Sequence, residues 1–214
     1  ESSGQILEFT AEPFVPVAVP NRGGETVCDT DEHPRRDTTL ERLARLRPAF
    51  LENGTGTAGN SSGMNDGASG VILMSGQRAQ RLNCPVLAEI LAISTVGVAP
   101  EYMGIAPIGA VRRALDKAGL TIGEIDLFEI NEAFAAQCVA VANELKLPAE
   151  KVNVNGGAIA LGHPVGASGS RMVATLIYEL RRRGGGYGAA SLCAGGGMGT
   201  AVVLRVPGDP QAVS

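Results

Sequence analysis

Asn131, His163 and Cys193 are the residues whose types and settings could do chemistry together. His163 is one of two histidines and lies in Gly162-His163-Pro164, a glycine-lined turn between an alternating stretch and an amphipathic one. Imidazole changes charge near neutral pH, so a histidine in such a turn is placed for proton chemistry. Asn131-Glu132-Ala133-Phe134 and Cys193-Ala194-Gly195-Gly196-Gly197 each follow an apolar β-type run in the same manner. In α/β sheets, ligands collect at the carboxyl ends of strands, so three such turns can converge on one site. Each residue also has a plain explanation. Asparagine caps helices, a lone histidine is often structural, and a small buried cysteine usually only packs. Their three equivalent positions favour a shared site.

The elements that must hold these turns follow from periodicity. Residues 108–118 carry a helical pattern, with Arg112, Arg113 and Lys117 outside and Val111 and Leu115 inside, ended by Gly119. The run 125–130 predicts a strand, 132–145 a helix, 152–155 a strand, 168–183 a helix, and 188–193 and 200–206 two more strands. This order predicts a layered α/β domain of roughly 120 residues, with helices against a mixed sheet. Upstream, the apolar run 87–98 is β-rich, 77–82 predicts a short basic helix, and 68–75 reads as a helix end or a buried strand. Residues 12–20 alternate like a proline-limited edge strand that turns at Asn21-Arg22-Gly23-Gly24 into 25–28. Residues 29–36 are turn-like, and 39–46 predict a helix capped by Thr38 or Thr39 and stopped by Pro48.

Composition excludes several classes. Net charge is −4, and the one basic run, Arg181-Arg182-Arg183, falls at a helix end where cations suit the dipole, so no nucleic-acid surface is expected. No segment is apolar for long enough to cross a membrane, and Glu1-Ser2-Ser3-Gly4-Gln5 lacks the layout of a signal peptide. Cys28, Cys84, Cys138 and Cys193 form no CxxC and no metal spacing with a histidine, so no metal is expected. Reduced thiols in a cytoplasmic protein are the expectation. Gly54-Thr55-Gly56-Thr57-Ala58-Gly59 is a literal GxGxxG, but no strand leads into it and no helix opens from it, which argues against a dinucleotide site. It continues to Gly67 as a small-residue loop, suited to backbone contact with an extended ligand or to service as a flexible connector.

Asn131-Glu132-Ala133-Phe134, the run from Gly156 to Pro164, and the run from Cys193 to Gly199 resemble the three C-terminal signatures of the thiolase family, specifically acetyl-CoA acetyltransferases. Thr57-Ala58-Gly59-Asn60-Ser61-Ser62-Gly63 and Asp29-Thr30-Asp31-Glu32-His33-Pro34-Arg35 also resemble that family, in order and spacing. The resemblance implies a thiolase-like layered α/β/α C-terminal domain with a mixed sheet at 86–207. Before it come part of a loop domain at 1–64 and the end of an N-terminal domain at 65–85, with a tail at 208–214. One feature departs. Thiolases are about twice this length, and their nucleophilic cysteine lies in the N-terminal half in a Cys-Ser-Gly-type context that none of the four cysteines here shares. The chain therefore looks like the second half of a thiolase, either a cleaved or truncated piece or one subunit of a split enzyme.

The resemblance assigns roles. His163 is the base for the missing cysteine's thiol, held neutral by the start of the following helix. Cys193 is the base at the acyl α-carbon and the acid for the leaving group. His163 with a water held by Asn131 forms one oxyanion hole, and the backbone N–H of Gly195 forms part of the other. Coenzyme A and acyl-CoA are the implied substrates, with no permanently bound cofactor. Ala58, Gly59 and Ser62 resemble the pantetheine-contacting segment, Arg35 is the candidate for the nucleotide end, and Phe50, Met103 and Phe134 resemble apolar pocket walls. The implied partners are an N-terminal thiolase half carrying the cysteine and further copies, as a dimer or tetramer of the complete unit. Two rivals stand beside this reading. A ketoacyl synthase would place a second histidine near the Asn131 motif and lack Cys193. A non-catalytic CoA-thioester-binding or scaffold subunit would need none of Asn131, His163 and Cys193.

Overall fold

The computed structural model describes residues 15–208. The start of the expected edge strand, residues 12–14, and the tail from 209 onward lie outside the described residues. Strands β1 (Val17–Asn21) and β2 (Gly24–Cys28) form an antiparallel hairpin in which Asn21 faces Gly24, as the turn chemistry predicts. Helix α1 (Leu40–Ala44) follows, with the Thr39 side chain accepting from the Arg42 N–H as its cap. Residues 48–63 then run as a loop, with Pro48 bridged to Thr57. Helix α2 (Gly76–Arg81) starts at a Ser75 cap.

The remaining residues build one three-layer unit. Its sheet has the order β3-β6-β5-β4, with β3 (Glu89–Gly97), β4 (Leu127–Ile130), β5 (Gly186–Ala194) and β6 (Met198–Val206). Pairs β3–β6 and β5–β6 are antiparallel, and β4–β5 is parallel, so the sheet is mixed. Alternation along the strands sorts the core into two faces. Phe128, Ile130, Ala189, Ala201 and Val203 meet α3 (Ala106–Ala118) and α4 (Ala135–Leu145) on one side. Leu127, Ala190, Leu204 and Val206 meet α6 (Val165–Arg182) on the other. Burial of Leu127, Phe128, Met172, Leu176 and Leu180 to 1 % exposure or less makes these contacts the main stabilising term.

Three expectations are corrected. Residues 152–155 form a single bridge from Val152 to Phe128 rather than a strand. Asn153 adopts φ 48°, and its carboxamide replaces the missing ladder: Oδ1 accepts from Ile130 N and Nδ2 donates to Ile130 O, each at 2.8 Å. The helix expected from Glu132 begins at Ala135, so Asn131 is not its cap. Residues 133–135 are instead spent on the loop: Ser62 N donates to Ala133 O at 3.1 Å, and Ala135 N donates to Asn60 O at 2.9 Å. Residues 68–75 are neither helix nor strand, and Ile72 and Leu73 stay 89 % and 69 % exposed. No strand lies beside them among the described residues.

Candidate active site

The parallel register of β4 and β5 sets the site's first edge. Ile130 lies opposite Ser191, and Asn131 N donates to Ser191 O at 3.0 Å. Asn131 and Cys193 therefore leave their strands at the same carboxyl end of the sheet. Asn131 is buried, and its side-chain Oδ1 has no partner among the described residues. Its Nδ2 lies 3.3 Å from His163 Nε2.

His163 is held from several sides. The single helical turn α5 (Ala158–Leu161) leads into Gly162, whose φ of 95° reverses the chain. A Cβ at Gly162 would also sit 2.7 Å from the Asn65 carboxamide, so the turn excludes side chains twice over. Asn65 Oδ1 accepts from His163 N at 3.0 Å. On the ring, Nδ1 is 2.6 Å from Ser168 Oγ. Ser168 lies in the first turn of α6, and its hydroxyl donates to Pro164 O at 3.0 Å. That bond uses the hydroxyl's single hydrogen, so Nδ1 carries the ring proton and donates to Ser168. Nε2 is left with the lone pair, facing Asn131. Burial lowers the His163 pKa, and Arg171 lowers it further. Both effects disfavour the imidazolium, and the causes are desolvation and a neighbouring cation rather than the start of the following helix.

Cys193 is half-buried and pairs with Gly199 across β5–β6. Burial raises its pKa, so it rests as a thiol, able to return a proton. Gly195 lies in the exposed turn after it. Val98 N donates to Gly197 O at 2.7 Å, which anchors that turn to the end of β3.

The candidate ligand-binding residues separate into groups. Arg35, Ala58, Gly59 and Ser62 line one cavity of about 860 Å³. Ile159, Ala160 and Leu161 line it too, so it reaches the turn that carries His163. Its volume is that of a site for a sizeable organic ligand. Phe50 and Phe134 do not line it. They pack edge to face with ring centroids 5.6 Å apart. Met103 is half-buried in the short turn Pro100–Ile105, away from that cavity's lining.

Sequence reasoning missed four contributors. Ser168 fixes the ring's tautomer, and its position five residues after His163, in the first turn of the following helix, was the available signal. Asn65 and His33 hold the His163 turn from the loop side. His33 could have been noticed as the only other histidine, inside a stretch already singled out. Glu132 was also overlooked as a tie. Its carboxylate accepts from Ile159 N at 3.1 Å and from Asn153 Nδ2 at 3.2 Å.

Comparisons with known proteins agree on one family. Residues 84–206 match the model of the thiolase C-terminal domain, and residues 6–77 match that of the thiolase N-terminal domain. An acetyl-CoA acetyltransferase of Pseudomonas aeruginosa is 55% identical over 194 residues, covering 90% of this chain and 49% of that protein. The crystal structure of the Bacillus anthracis acetyl-CoA acetyltransferase superposes with a TM-score of 0.90 at 46% identity, covering 96% of this chain and 53% of that one. Human mitochondrial 3-ketoacyl-CoA thiolase, solved in complex with CoA, superposes with a TM-score of 0.78 at 46% identity, covering 85% of this chain and 46% of that one. The chain spans about half the length of the curated relatives it matches. By its family-model matches, its motifs and its fold, the chain belongs to the thiolase family.

Proposed function

We propose that this chain is the C-terminal part of an acetyl-CoA C-acetyltransferase. The complete enzyme carries out Claisen condensation of two acyl-CoA molecules, or thiolysis of a 3-ketoacyl-CoA, by ping-pong acyl transfer. The nucleophilic cysteine comes from the other half of the thiolase unit, as a partner chain or as continuous sequence. Residues 1–64 end the loop domain, 65–85 end the N-terminal domain, and 86–207 are the C-terminal domain.

In this reading Nε2 of His163 takes the proton of the nucleophilic thiol, and the resulting thiolate attacks the thioester carbonyl. The CoA thiolate leaves, protonated by Cys193. In the second half-reaction, Cys193 removes a proton from the α-carbon of the next acyl-CoA. The carbanion attacks the acyl-enzyme, and the nucleophile's sulfur leaves. His163, with a water on the free Oδ1 of Asn131, stabilises one oxyanion, and the Gly195 N–H contributes to the other. Arg35, Ala58, Gly59 and Ser62 hold CoA in the 860 Å³ cavity, and Phe50, Met103 and Phe134 form apolar walls toward the acyl end. The observation that carries this reading is the Asn131–His163 pair, with the ring's lone pair on Nε2, at the sheet edge from which Cys193 also emerges. The complete unit, both halves together, assembles further into dimers or tetramers. Four free cysteines fit a cytoplasmic setting.

The test is reconstitution. The purified 214-residue chain alone is expected to show no thiolysis of acetoacetyl-CoA, and addition of an N-terminal thiolase half restores it. Turnover by the lone chain sinks the need for a second cysteine. Inactivity of every pairing that assembles sinks the catalytic reading in favour of a CoA-thioester-binding subunit. In the reconstituted enzyme, Cys193→Ala should block condensation yet still allow acylation of the partner cysteine; loss of acylation reassigns Cys193.

A further inference from the structure

The turn that delivers His163 is too short to hold its own shape. Helix α5 is a single turn of four residues, and one turn alone is unfavourable in water. Glu132 fixes its entry through Ile159 N at 3.1 Å. Further ties come from His33, which lines the cavity, and from Asn65, two residues beyond the lining Gly63. Asn65 Oδ1 accepts from His163 N at 3.0 Å, and Asn65 Nδ2 lies 3.2 Å from His33 Nδ1. A carboxamide nitrogen only donates, so His33 Nδ1 accepts and the proton sits on His33 Nε2. That nitrogen is 3.3 Å from Ile159 O, so it donates there. The result is a closed circuit: Ile159 O, His33, Asn65, and the N–H of His163. The chain is built to admit it. A Cβ on Gly63 would meet His33 Cε1 at 2.5 Å, and one on Gly162 would meet Asn65 at 2.7 Å.

We propose that Asn65 is a positioning residue for His163, and that His33 acts through it to tie the cavity-lining loop to the His163 turn. This rests on the reading of His163 as the base. Asn65 orients the peptide from which the imidazole projects, and His33 orients Asn65 by leaving it only one amide orientation in which both bonds form. In that orientation Oδ1 points at His163 N and Nδ2 at His33.

The test uses the 214-residue chain labelled with ¹⁵N, in which the only two imidazoles are easily told apart. Asn65→Ala should move the His163 amide and both ring spectra. Asn65→Asp keeps an acceptor for His163 N but loses the donor to His33, so the His163 amide should stay while the His33 ring shifts. His33→Ala should move the His163 amide clearly more in the wild-type background than in the Asn65→Ala background, where only the bond to Ile159 O remains to be lost. In the enzyme reconstituted with an N-terminal half, Asn65→Ala should lower kcat roughly tenfold to a hundredfold, with KM for acyl-CoA within about twofold, because small misplacements of a base act on the reacting geometry. Asn65→Asp should recover most of that loss. An unmoved His163 amide in Asn65→Ala, or additive effects of the two substitutions, overturns the proposal. Equal kcat in a folded Asn65→Ala enzyme overturns it as well. If even the wild-type pair is inactive, the assignment of His163 as base falls, and the amide shifts still decide whether Asn65 positions it.

Discussion

The proton on Nδ1 of His163 decides what the ring can do. Ser168 accepts that proton while its own hydrogen is committed to Pro164 O, so the ring lone pair stays on Nε2, toward Asn131. The arrangement uses a helix's own carbonyl to bias a tautomer. Ser168→Ala removes the acceptor from a half-buried N–H, and the other tautomer, with its proton on Nε2, gains population. In the reconstituted enzyme kcat should fall roughly tenfold to a thousandfold, in the range of removing one oriented polar group at a reacting centre. Ser168→Thr, which keeps the hydroxyl, should recover part of it. Ser168→Ala turning over at the wild-type rate would show that the tautomer is set elsewhere. The lowered His163 pKa adds a linkage. The unfolded chain binds this proton more readily than the folded one, so stability from this group is present above the ordinary histidine value of about 6.5 and is lost as pH falls below it.

At the scale of elements, β4 carries a carboxylate where a core residue belongs. Glu129 is 3 % exposed, shares the α6-facing side with Leu127, and lies 3.3 Å from Arg171 of α6. Burial pushes its pKa up to about 7, against the opposing pull of Arg171, with Glu132 and Glu179 raising it further. The folded chain therefore holds a proton that the unfolded chain, with an ordinary carboxylate, gives up. Stability from this group is full below the unfolded value near 4.5 and is lost as pH rises toward about 7. The slope reaches at most about 1.4 kcal/mol per pH unit. Urea unfolding between pH 4.5 and 8 should show wild-type stability falling relative to Glu129→Gln across that window. A constant difference would mean that Glu129 stays ionised throughout. The same strand shows how far the sequence could be read. The alternation that buries Leu127, Phe128 and Ile130 was legible, and so were α3, α4, β5 and β6. The run 152–155 was not, because its apolar alternation said nothing of the Asn153 carboxamide taking the place of ladder bonds. The late start of α4 was hidden for a related reason: residues 133–135 give their backbone groups to a loop some seventy positions earlier. The signatures pointed to Asn131 and His163, which lie 3.3 Å apart, and to Cys193 at the carboxyl end of the neighbouring strand, whereas Asn65, His33 and Ser168 lie in long-range or side-chain contacts that no period announces.

The whole molecule exposes what a second half would cover. Ile72 and Leu73 stand at the surface in an irregular run that has no partner strand among the described residues, Met64 beside the His163 turn is fully exposed, and Ile93 of β3 is 55% exposed next to a shallow apolar dip lined by Val173, Leu192 and Val202. Scattered apolar residues are ordinary, but a contiguous exposed apolar run of this kind marks an interaction surface. Residues 68–75 lie close to the end of the match to the thiolase N-terminal domain, at 77, and the match to the C-terminal domain begins at 84. In the proposed complete unit, this run is the natural strand for the other half's sheet, which would satisfy its backbone and bury its side chains together. Ile72→Glu separates the two roles of the segment. The side chain contributes no buried contact in the lone chain, so the urea midpoint of the 214-residue chain should stay within the roughly ±0.5 kcal/mol expected of a surface change. Titration with an N-terminal half should instead show association weakened by at least tenfold, because a carboxylate must then be buried without a partner. An equal affinity for the companion half would place the interface elsewhere. A lone chain destabilised by several kcal/mol would mean that Ile72 is already packed within this half.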